Sequence, residues 1–194
     1  MVAVFPEPRL TSRQSHLRDA LVEMVLAQGF SRLTMDQVAA TLNCSKRTLY
    51  ALAASKEQLA VLAVRHFFRG ATEQVEAAIA ATRSPARRVT RYLEAVAEAL
   101  RPASRVFRND VAHFAPTAEI YEQNTIAAAR RVRELIDEGT RAGAFRQVPA
   151  GFVGEVVTAT MRRITSGEIT AATGLSDAEA YAELARLVVA AIRR

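Results

Sequence analysis

Residues 34–50, TMDQVAATLNCSKRTLY, have the spacing of two short helices joined by a tight turn. Val38 and Leu42 lie one helical turn apart and belong to the apolar face of the first helix. Thr34 precedes this helix and Gln37 follows three residues later, which is the pattern of a capping box. The first half of the segment therefore predicts a short helix with a well-defined start.

The second half of the segment predicts a turn and a second helix. Asn43 tolerates the left-handed backbone conformation that a tight turn needs, and Ser45 is a good N-cap. Leu49 points inward at helical spacing, whereas potential hydrogen-bond donors stand at Lys46, Arg47, Thr48 and Tyr50. A recognition helix reads base edges with its N-terminal residues, so the pattern indicates a helix-turn-helix.

The flanking sequence predicts the rest of a three-helix module. An apolar stripe from Leu17 to Val25 ends at Gly29, a typical helix stop. Ser55 is an N-cap for a long helix with apolar residues on two faces, which indicates burial on both sides. We therefore predict a DNA-binding domain at residues 1–54, with a loose arm at 1–11, and a second domain at 55–194.

The second domain is also predicted to be helical. Strand patterns are nearly absent, and proline and glycine separate segments of helical length at 86–101, 104–114, 117–142, 150–173 and 176–193. The expected fold is all-α, with about nine helices: an N-terminal helix-turn-helix module and a C-terminal helical bundle.

Composition limits the possible classes of function. The chain has 194 residues, half of them hydrophobic, and a net charge of +6, which permits but does not prove nucleic-acid binding. No apolar run is long enough for a membrane and no signal peptide is evident, so a cytoplasmic protein without a membrane partner is expected. Glycine-rich phosphate loops and nucleophile motifs are absent, so we predict neither catalysis nor a cofactor.

Three small groups of residues leave an alternative open beside a structural role. Cys44, the single cysteine, is either a small packing residue or a redox-sensing thiol. Asp110 and His113 share a helix face, but two ligands are too few for a typical metal site. Glu94 and Glu98 form either a charge-balanced surface or an acid/base pair, and we expect the surface.

Gly29 through Leu59 carries a longer signature, G-F-x-x-x-T-x-x-x-V-A-x-x-x-x-x-S-K-x-T-L-Y followed by S-K-E-x-L. It resembles the signature of the tetracycline-repressor (TetR) family of transcriptional regulators. A weaker match at 137–146 resembles the end of the long seventh helix of that family. The resemblance implies a homodimer that binds double-stranded DNA at a palindromic operator and responds to a small-molecule ligand.

The resemblance also implies which residues contact DNA. Thr34 and Lys56 would hold phosphates, and the second helix of the motif would face the major groove. The implied DNA-binding set is Arg13, Thr34, Ser45, Lys46, Arg47, Thr48, Tyr50 and Lys56. The chain departs from the family after Tyr50, where residues 51–54 replace the usual aromatic and histidine residues. Arg47 stands where glycine is common, and an arginine there can bind guanine with two hydrogen bonds.

Further roles are implied for the second domain. The family has a pocket among helices 4 to 8, and a mostly apolar pocket suits a hydrophobic ligand. Candidate lining residues, for which core packing is the alternative, are Phe67, Tyr92, Phe107, His113, Phe114, Tyr121 and Met161. The last two helical segments either fill the core of the chain or pair with a second copy in a four-helix bundle. The candidate interface is Phe152, Val156, Val157, Ile164, Tyr181, Leu184, Leu187, Val188 and Ile192.

These observations predict a sequence-specific transcriptional regulator, by default a repressor that a small hydrophobic ligand releases from its operator. One alternative is a helical small-molecule-binding protein that has lost DNA binding, which the missing aromatic after Tyr50 keeps open. A helical enzyme is the remaining and weakest alternative.

Overall fold

The computed structural model describes residues 11–193 and is helical almost throughout. In these residues the extended pairing is limited to an isolated bridge between Phe145 and Arg193. The ten helices are α1 (Ser12–Gln28), α2 (Met35–Thr41), α3 (Lys46–Leu52), α4 (Lys56–Ala80), α5 (Pro85–Leu100), α6 (Arg105–His113), α7 (Ala115–Arg141), α8 (Ala150–Thr165), α9 (Glu168–Thr173) and α10 (Asp177–Ile192). The predicted all-α fold is confirmed.

The helix count differs from the expected nine because the predicted helix at 150–173 is two helices. α8 ends at Thr165 and α9 begins at Glu168. Between them, Gly167 has a φ of 81°, a left-handed conformation that interrupts the helical hydrogen bonding. The predicted arm at residues 1–11 lies outside the described residues, apart from Thr11, which is the N-cap of α1.

Among residues 11–193, the first of two compact units comprises residues 11–70 together with Pro102–Glu122. It contains α1 to α3, α6 and the beginnings of α4 and α7. Its core is apolar, and Leu21, Leu49 and Val64 are each at most 1 % exposed. Ser55, the first residue of the predicted second domain, caps α4, where Gln58 N donates to Ser55 Oγ at 3.2 Å. The functional boundary after residue 54 stays a prediction.

The second unit comprises Ala71–Arg101 and the chain from Gln123 onward. α5 and α10 pack along each other at its centre, and Leu93, Tyr181 and Ile192 are almost completely buried there. The Phe145 ring lies against Gly139, where any Cβ would overlap it, so the weaker family-like segment has a packing function. No helix of residues 11–193 is both long and apolar enough to cross a membrane.

Candidate nucleic-acid interface

The turn between α2 and α3 has the geometry that the sequence predicts. Gln37 N donates to Thr34 Oγ1 at 3.2 Å and Thr34 N donates to Gln37 Oε1 at 2.9 Å, which completes the capping box. Asn43 has a φ of 47°, in the left-handed region. The start of α2 and the turn that follows this helix are therefore set by local hydrogen bonds and backbone preference.

Ser45 starts α3 as predicted. Its Oγ accepts a hydrogen bond from Thr48 N at 3.1 Å and lies 2.8 Å from Thr48 Oγ1. Leu49, one helical turn after the cap, is completely buried. These contacts fix which face of α3 points inward and leave its opposite face in solvent.

Lys46, Arg47 and Tyr50 form the outward face of α3. All three are exposed, and Tyr50 is 51 % exposed although it is aromatic. Tyr50 lies four residues after Lys46 and three after Arg47, so it is a neighbour of both side chains on the helix surface. Thr48, by contrast, is half-buried and its hydroxyl faces Ser45. The exposed face offers two cations and a phenol hydroxyl, which are suitable donors for phosphates and base edges.

Lys46 has an acidic neighbour that the sequence analysis missed. Its Nζ lies 2.9 Å from Asp36 Oδ1, and both side chains are more than half exposed. The hydrogen bond and the charge of Asp36 raise the pKa of Lys46, so the ammonium group stays charged. Because water screens such exposed pairs, the contact holds Lys46 only weakly.

The remaining predicted DNA contacts flank this face. Arg13 is exposed in the first turn of α1, and Thr34 is exposed at the start of α2. Lys56, at the start of α4, donates from Nζ to Ser31 O at 3.0 Å. These cationic and hydroxyl groups lie at helix N-termini, where backbone N–H groups also favour anions. Their contacts with DNA stay predictions.

Cys44 is placed as a packing residue. It is partly buried in the turn, and this burial raises the pKa of its thiol more than the charge of Arg13 lowers it. The reactive thiolate is therefore disfavoured, which supports the packing role over a redox sensor.

Asp110 in α6 is a buried charge that lies against the turn after α1, a contact that the sequence analysis missed. Its side chain is 7 % exposed, and Oδ2 accepts hydrogen bonds from Phe30 N at 2.7 Å and Ser31 N at 2.9 Å. Burial raises the pKa of this carboxyl, but hydrogen bonds from Ser31 and Phe30 and the charge of Arg32 outweigh it, so the pKa lies below its ordinary value. Phe30 and Ser31 lie 80 and 79 residues before Asp110 in the sequence.

His113 does not join Asp110. The histidine is exposed, and its Nδ1 lies 2.8 Å from Asn109 O in its own helix. The possible metal pair is therefore wrong, because Asp110 turns inward and His113 turns to solvent. The role of the exposed His113 in lining a ligand pocket stays a prediction.

The other predicted pocket residues are distributed over both units. In the first unit, Phe67 packs against Phe107 with ring centroids 5.7 Å apart, Phe68 lies 5.9 Å from Tyr121, and Phe114 lies 6.0 Å from Phe30. In the second unit, Met161 and Tyr92 lie in the hydrophobic core. The Tyr92 hydroxyl donates to Ala128 O at 3.4 Å, and burial raises its pKa above its ordinary value.

Glu94 and Glu98 belong to a charge-balanced surface. Arg91 Nη1 lies 3.0 Å from Glu98 Oε1 and 3.8 Å from Glu94 Oε2. The hydrogen bond from Arg91 lowers the pKa of Glu98, whereas a general acid needs a raised pKa. The contacts favour the surface interpretation over acid/base chemistry.

The predicted dimer residues divide into a buried and an exposed group. Six are at most 5 % exposed within the chain itself: Val157, Ile164, Tyr181, Leu184, Val188 and Ile192. These side chains fill the core of the second unit, which is the alternative that the sequence left open. Phe152, Val156 and Leu187 are instead 69 %, 44 % and 69 % exposed. Of the nine predicted interface residues, these three leave a large apolar side chain exposed, and their contact with a second copy stays a prediction.

Comparison with protein families provides a second kind of observation on this part of the chain. Residues 17–63 match the model of bacterial regulatory proteins of the tetR family. The match spans α1 to α3 and the beginning of α4. No curated protein sequence matches the chain.

Solved structures with the same fold extend over almost the whole chain. A protein assigned as a transcriptional regulator from Saccharomonospora viridis, in complex with choline, superposes with a TM-score of 0.78 at 14 % identity, covering 95 % of this chain and 100 % of its own. The ketosteroid transcriptional regulator KstR2 of Mycobacterium tuberculosis superposes with a TM-score of 0.62 at 18 % sequence identity. The alignment covers 96 % of this chain and 97 % of KstR2.

A third structure, from Rhodococcus sp. and assigned as a TetR-family transcriptional regulator, gives a TM-score of 0.73 at 16 % identity. It covers 94 % of this chain and 99 % of its own. At these identities the likeness shows a shared fold.

Proposed function

We propose that this chain, whose residues 17–63 form the N-terminal domain of the tetR family of bacterial regulatory proteins, represses transcription from a palindromic operator as a ligand-responsive homodimer. The observation that carries the proposal is the outward face of α3. Lys46, Arg47 and Tyr50 stand together in solvent on a helix whose start and inward face are set by Ser45 and Leu49.

Each group on this face has a separate part in DNA recognition. Arg47 offers a planar fork of donors to the O6 and N7 of guanine, and Lys46 exchanges Asp36 for a phosphate or base edge. Tyr50 supplies one hydroxyl donor toward the DNA backbone. Arg13, Thr34 and Lys56 add phosphate contacts around the helix, which supply affinity without sequence preference.

Exposed apolar residues on α8 and α10 support the proposed homodimer. Phe152, Val156 and Leu187 are large apolar side chains that a second copy would cover across a twofold axis. Two recognition helices related by such an axis fit successive major grooves of a palindrome.

Ligand control is proposed to act through the aromatic residues of the first unit. The rings of Phe67, Phe68, Phe107 and Tyr121 pack on one another along α4, α6 and α7. A hydrophobic molecule that inserts among such rings would favour one helix arrangement over another. A coupling of about 1–3 kcal/mol changes operator affinity about 5- to 150-fold. The choline bound to the S. viridis protein is an instance of a small molecule held by this fold.

Selection from random duplex DNA at near-physiological salt tests DNA recognition directly. The wild-type protein is expected to enrich a palindromic sequence, and the double variant Lys46→Ala/Arg47→Ala is expected to bind that sequence at least about tenfold more weakly, since two contacts to DNA are lost. Arg83→Ala/Arg87→Ala removes two exposed arginines of the second unit and is the charge-matched control.

The outcomes separate the candidate functions. Enrichment of a palindrome by the wild type and the control, but not by the α3 variant, supports the regulator. A folded wild-type dimer that enriches no sequence would overturn DNA recognition and favour a protein that only binds small molecules. A reporter gene whose expression falls on deletion of the regulator, instead of rising, would overturn repression.

A further inference from the structure

A single buried carboxylate on α6 holds the turn that follows α1. Asp110 Oδ2 accepts hydrogen bonds from two successive backbone N–H groups, those of Phe30 and Ser31, at 2.7 and 2.9 Å. These N–H groups follow the end of α1, where the chain has left the helix and no helical carbonyl is available to them. Because an unpartnered buried N–H group costs free energy, the carboxylate satisfies a need that the turn itself creates.

The surrounding packing fits this carboxylate closely. Gly29 has a φ of 77°, and a Cβ at this position would overlap the Asp110 carboxylate and lie 2.8 Å from Val106 Cγ1. The Phe30 ring is buried and meets the Phe114 ring at the end of α6. About one helical turn earlier in α1, Leu26 O accepts a hydrogen bond from Ser104 N at 3.0 Å. α6 therefore contacts the end of α1 through hydrogen bonds and through side-chain packing.

The same turn leads directly into the recognition motif. Ser31 donates its N–H to Asp110, while its carbonyl accepts a hydrogen bond from Lys56 Nζ at 3.0 Å. α2 begins at Met35, four residues after Ser31, and its capping box starts at Thr34. The position of this turn thus sets where α2 starts, and α2 is joined to α3 by the short turn at Asn43.

We propose that Asp110 is a positioning residue for DNA recognition, whose carboxylate fixes the α1–α2 turn and through it the placement of the recognition helix. The inference rests on the proposed DNA-binding function of α3. This role differs from a general contribution to stability, because the carboxylate sets the position of the helix that contacts the bases. Contacts with phosphates depend mainly on charge, whereas contacts with base edges depend on the position and angle of the helix.

Asp110→Asn is the principal test, because the amide keeps the size of the side chain and removes its charge. Binding is measured on the folded dimer to two duplexes of equal length: the sequence selected by the wild type and a scrambled version. We expect the affinity for the selected duplex to fall at least about tenfold, which is about 1.4 kcal/mol. The affinity for the scrambled duplex should stay within about twofold, since no cation is lost.

Asp137→Asn is the charge-matched control, since Asp137 is exposed on α7 in the second unit. It should leave both affinities unchanged. Hydrogen exchange provides a local readout: the amides of Phe30 and Ser31 should lose protection in Asp110→Asn, while the amides of α10 keep theirs.

Ser31→Ala provides a second, milder variant. Ser31 is exposed, and its side chain helps to lower the pKa of the Asp110 carboxyl, so removal of the hydroxyl weakens the stabilisation of the carboxylate without creating a cavity. It should reduce affinity for the selected duplex in the same direction by a smaller factor.

Four results would overturn the proposal. If folded Asp110→Asn binds the selected duplex as tightly as the wild type does, only the role of Asp110 fails. Equal losses of affinity for both duplexes would assign Asp110 a role in general stability. The same conclusion would follow if Asp110→Asn does not fold and Ser31→Ala binds DNA as the wild type does. A wild-type protein that selects no sequence would instead overturn the proposed function, and with it this role.

Discussion

At the scale of single residues, three polar side chains determine the start of each part of the helix-turn-helix. Thr34 and Ser45 accept backbone hydrogen bonds at the starts of α2 and α3, and Asn43 takes the left-handed conformation between them. Asp110 does the same for the turn after α1, but from another part of the chain. Short-range caps and one long-range carboxylate therefore order the same module.

The buried carboxylate of Asp110 predicts a specific pH dependence of stability. Its pKa in the folded protein is below the ordinary value, so ionised Asp110 stabilises the fold at all pH values above the unfolded pKa of about 3.9. This contribution is lost as the pH falls through the folded pKa. In urea unfolding, the free-energy difference between wild type and Asp110→Asn should be largest at neutral pH and shrink below about pH 4.

The Asp137→Asn variant serves as the control for this measurement. It removes the same charge as Asp110→Asn, but the carboxylate that it replaces is exposed. A difference between wild type and Asp110→Asn that stays constant from neutral pH to about pH 3 would contradict an ionised Asp110 as the stabilising species.

At the scale of helices, α8 and α10 each have one face in the core and one face in solvent. Val157 and Val188 are buried, while Phe152 and Leu187 are 69 % exposed on the same two helices. A stable interface commonly buries about 800 Å² on each partner, and exposed aromatic and aliphatic side chains supply the centre of such a surface. This division predicts which substitutions separate the copies without unfolding the chain.

Phe152→Arg/Leu187→Arg should convert a dimer into a monomer. Both side chains are exposed, so the charges meet water in the monomer but would be buried without partners in the dimer. Light scattering at micromolar concentration should show the loss of the dimer, and circular dichroism should show unchanged helix content. Ile126→Arg, at a 49 % exposed position on α7, should leave the dimer intact. A wild-type protein that is a stable monomer under these conditions would refute the interface.

At the scale of the whole molecule, the proposed dimer predicts a fixed spacing in the operator. Two recognition helices in one twofold dimer contact half-sites about one helical turn apart, roughly 10–10.5 base pairs. Insertion of about five base pairs between the half-sites turns one of them to the opposite side of the duplex. Affinity in a gel-shift or fluorescence titration should then fall to that of a single half-site. Undiminished binding after this insertion would argue against simultaneous contact by both recognition helices.

The local features of the fold could be determined from the sequence by itself. The capping box at Thr34 and Gln37, the turn at Asn43 and the cap at Ser45 depend on residues a few positions apart, so their patterns are visible in the sequence. The helical class followed for the same reason. The division of 150–173 into two helices was missed because the pattern did not reveal that Gly167 would take the left-handed conformation.

Only the tertiary structure decided what each helical face contacts. An apolar stripe on α8 or α10 looks the same whether it packs inside the chain or on a partner, yet Val188 is buried and Leu187 is exposed. Asp110 and His113 appeared equivalent on one helix, but Asp110 meets the backbone of Phe30 and Ser31 while His113 faces solvent. Burial and long-range hydrogen bonds arise from the packing of segments far apart in sequence, which periodicity within a single segment does not encode.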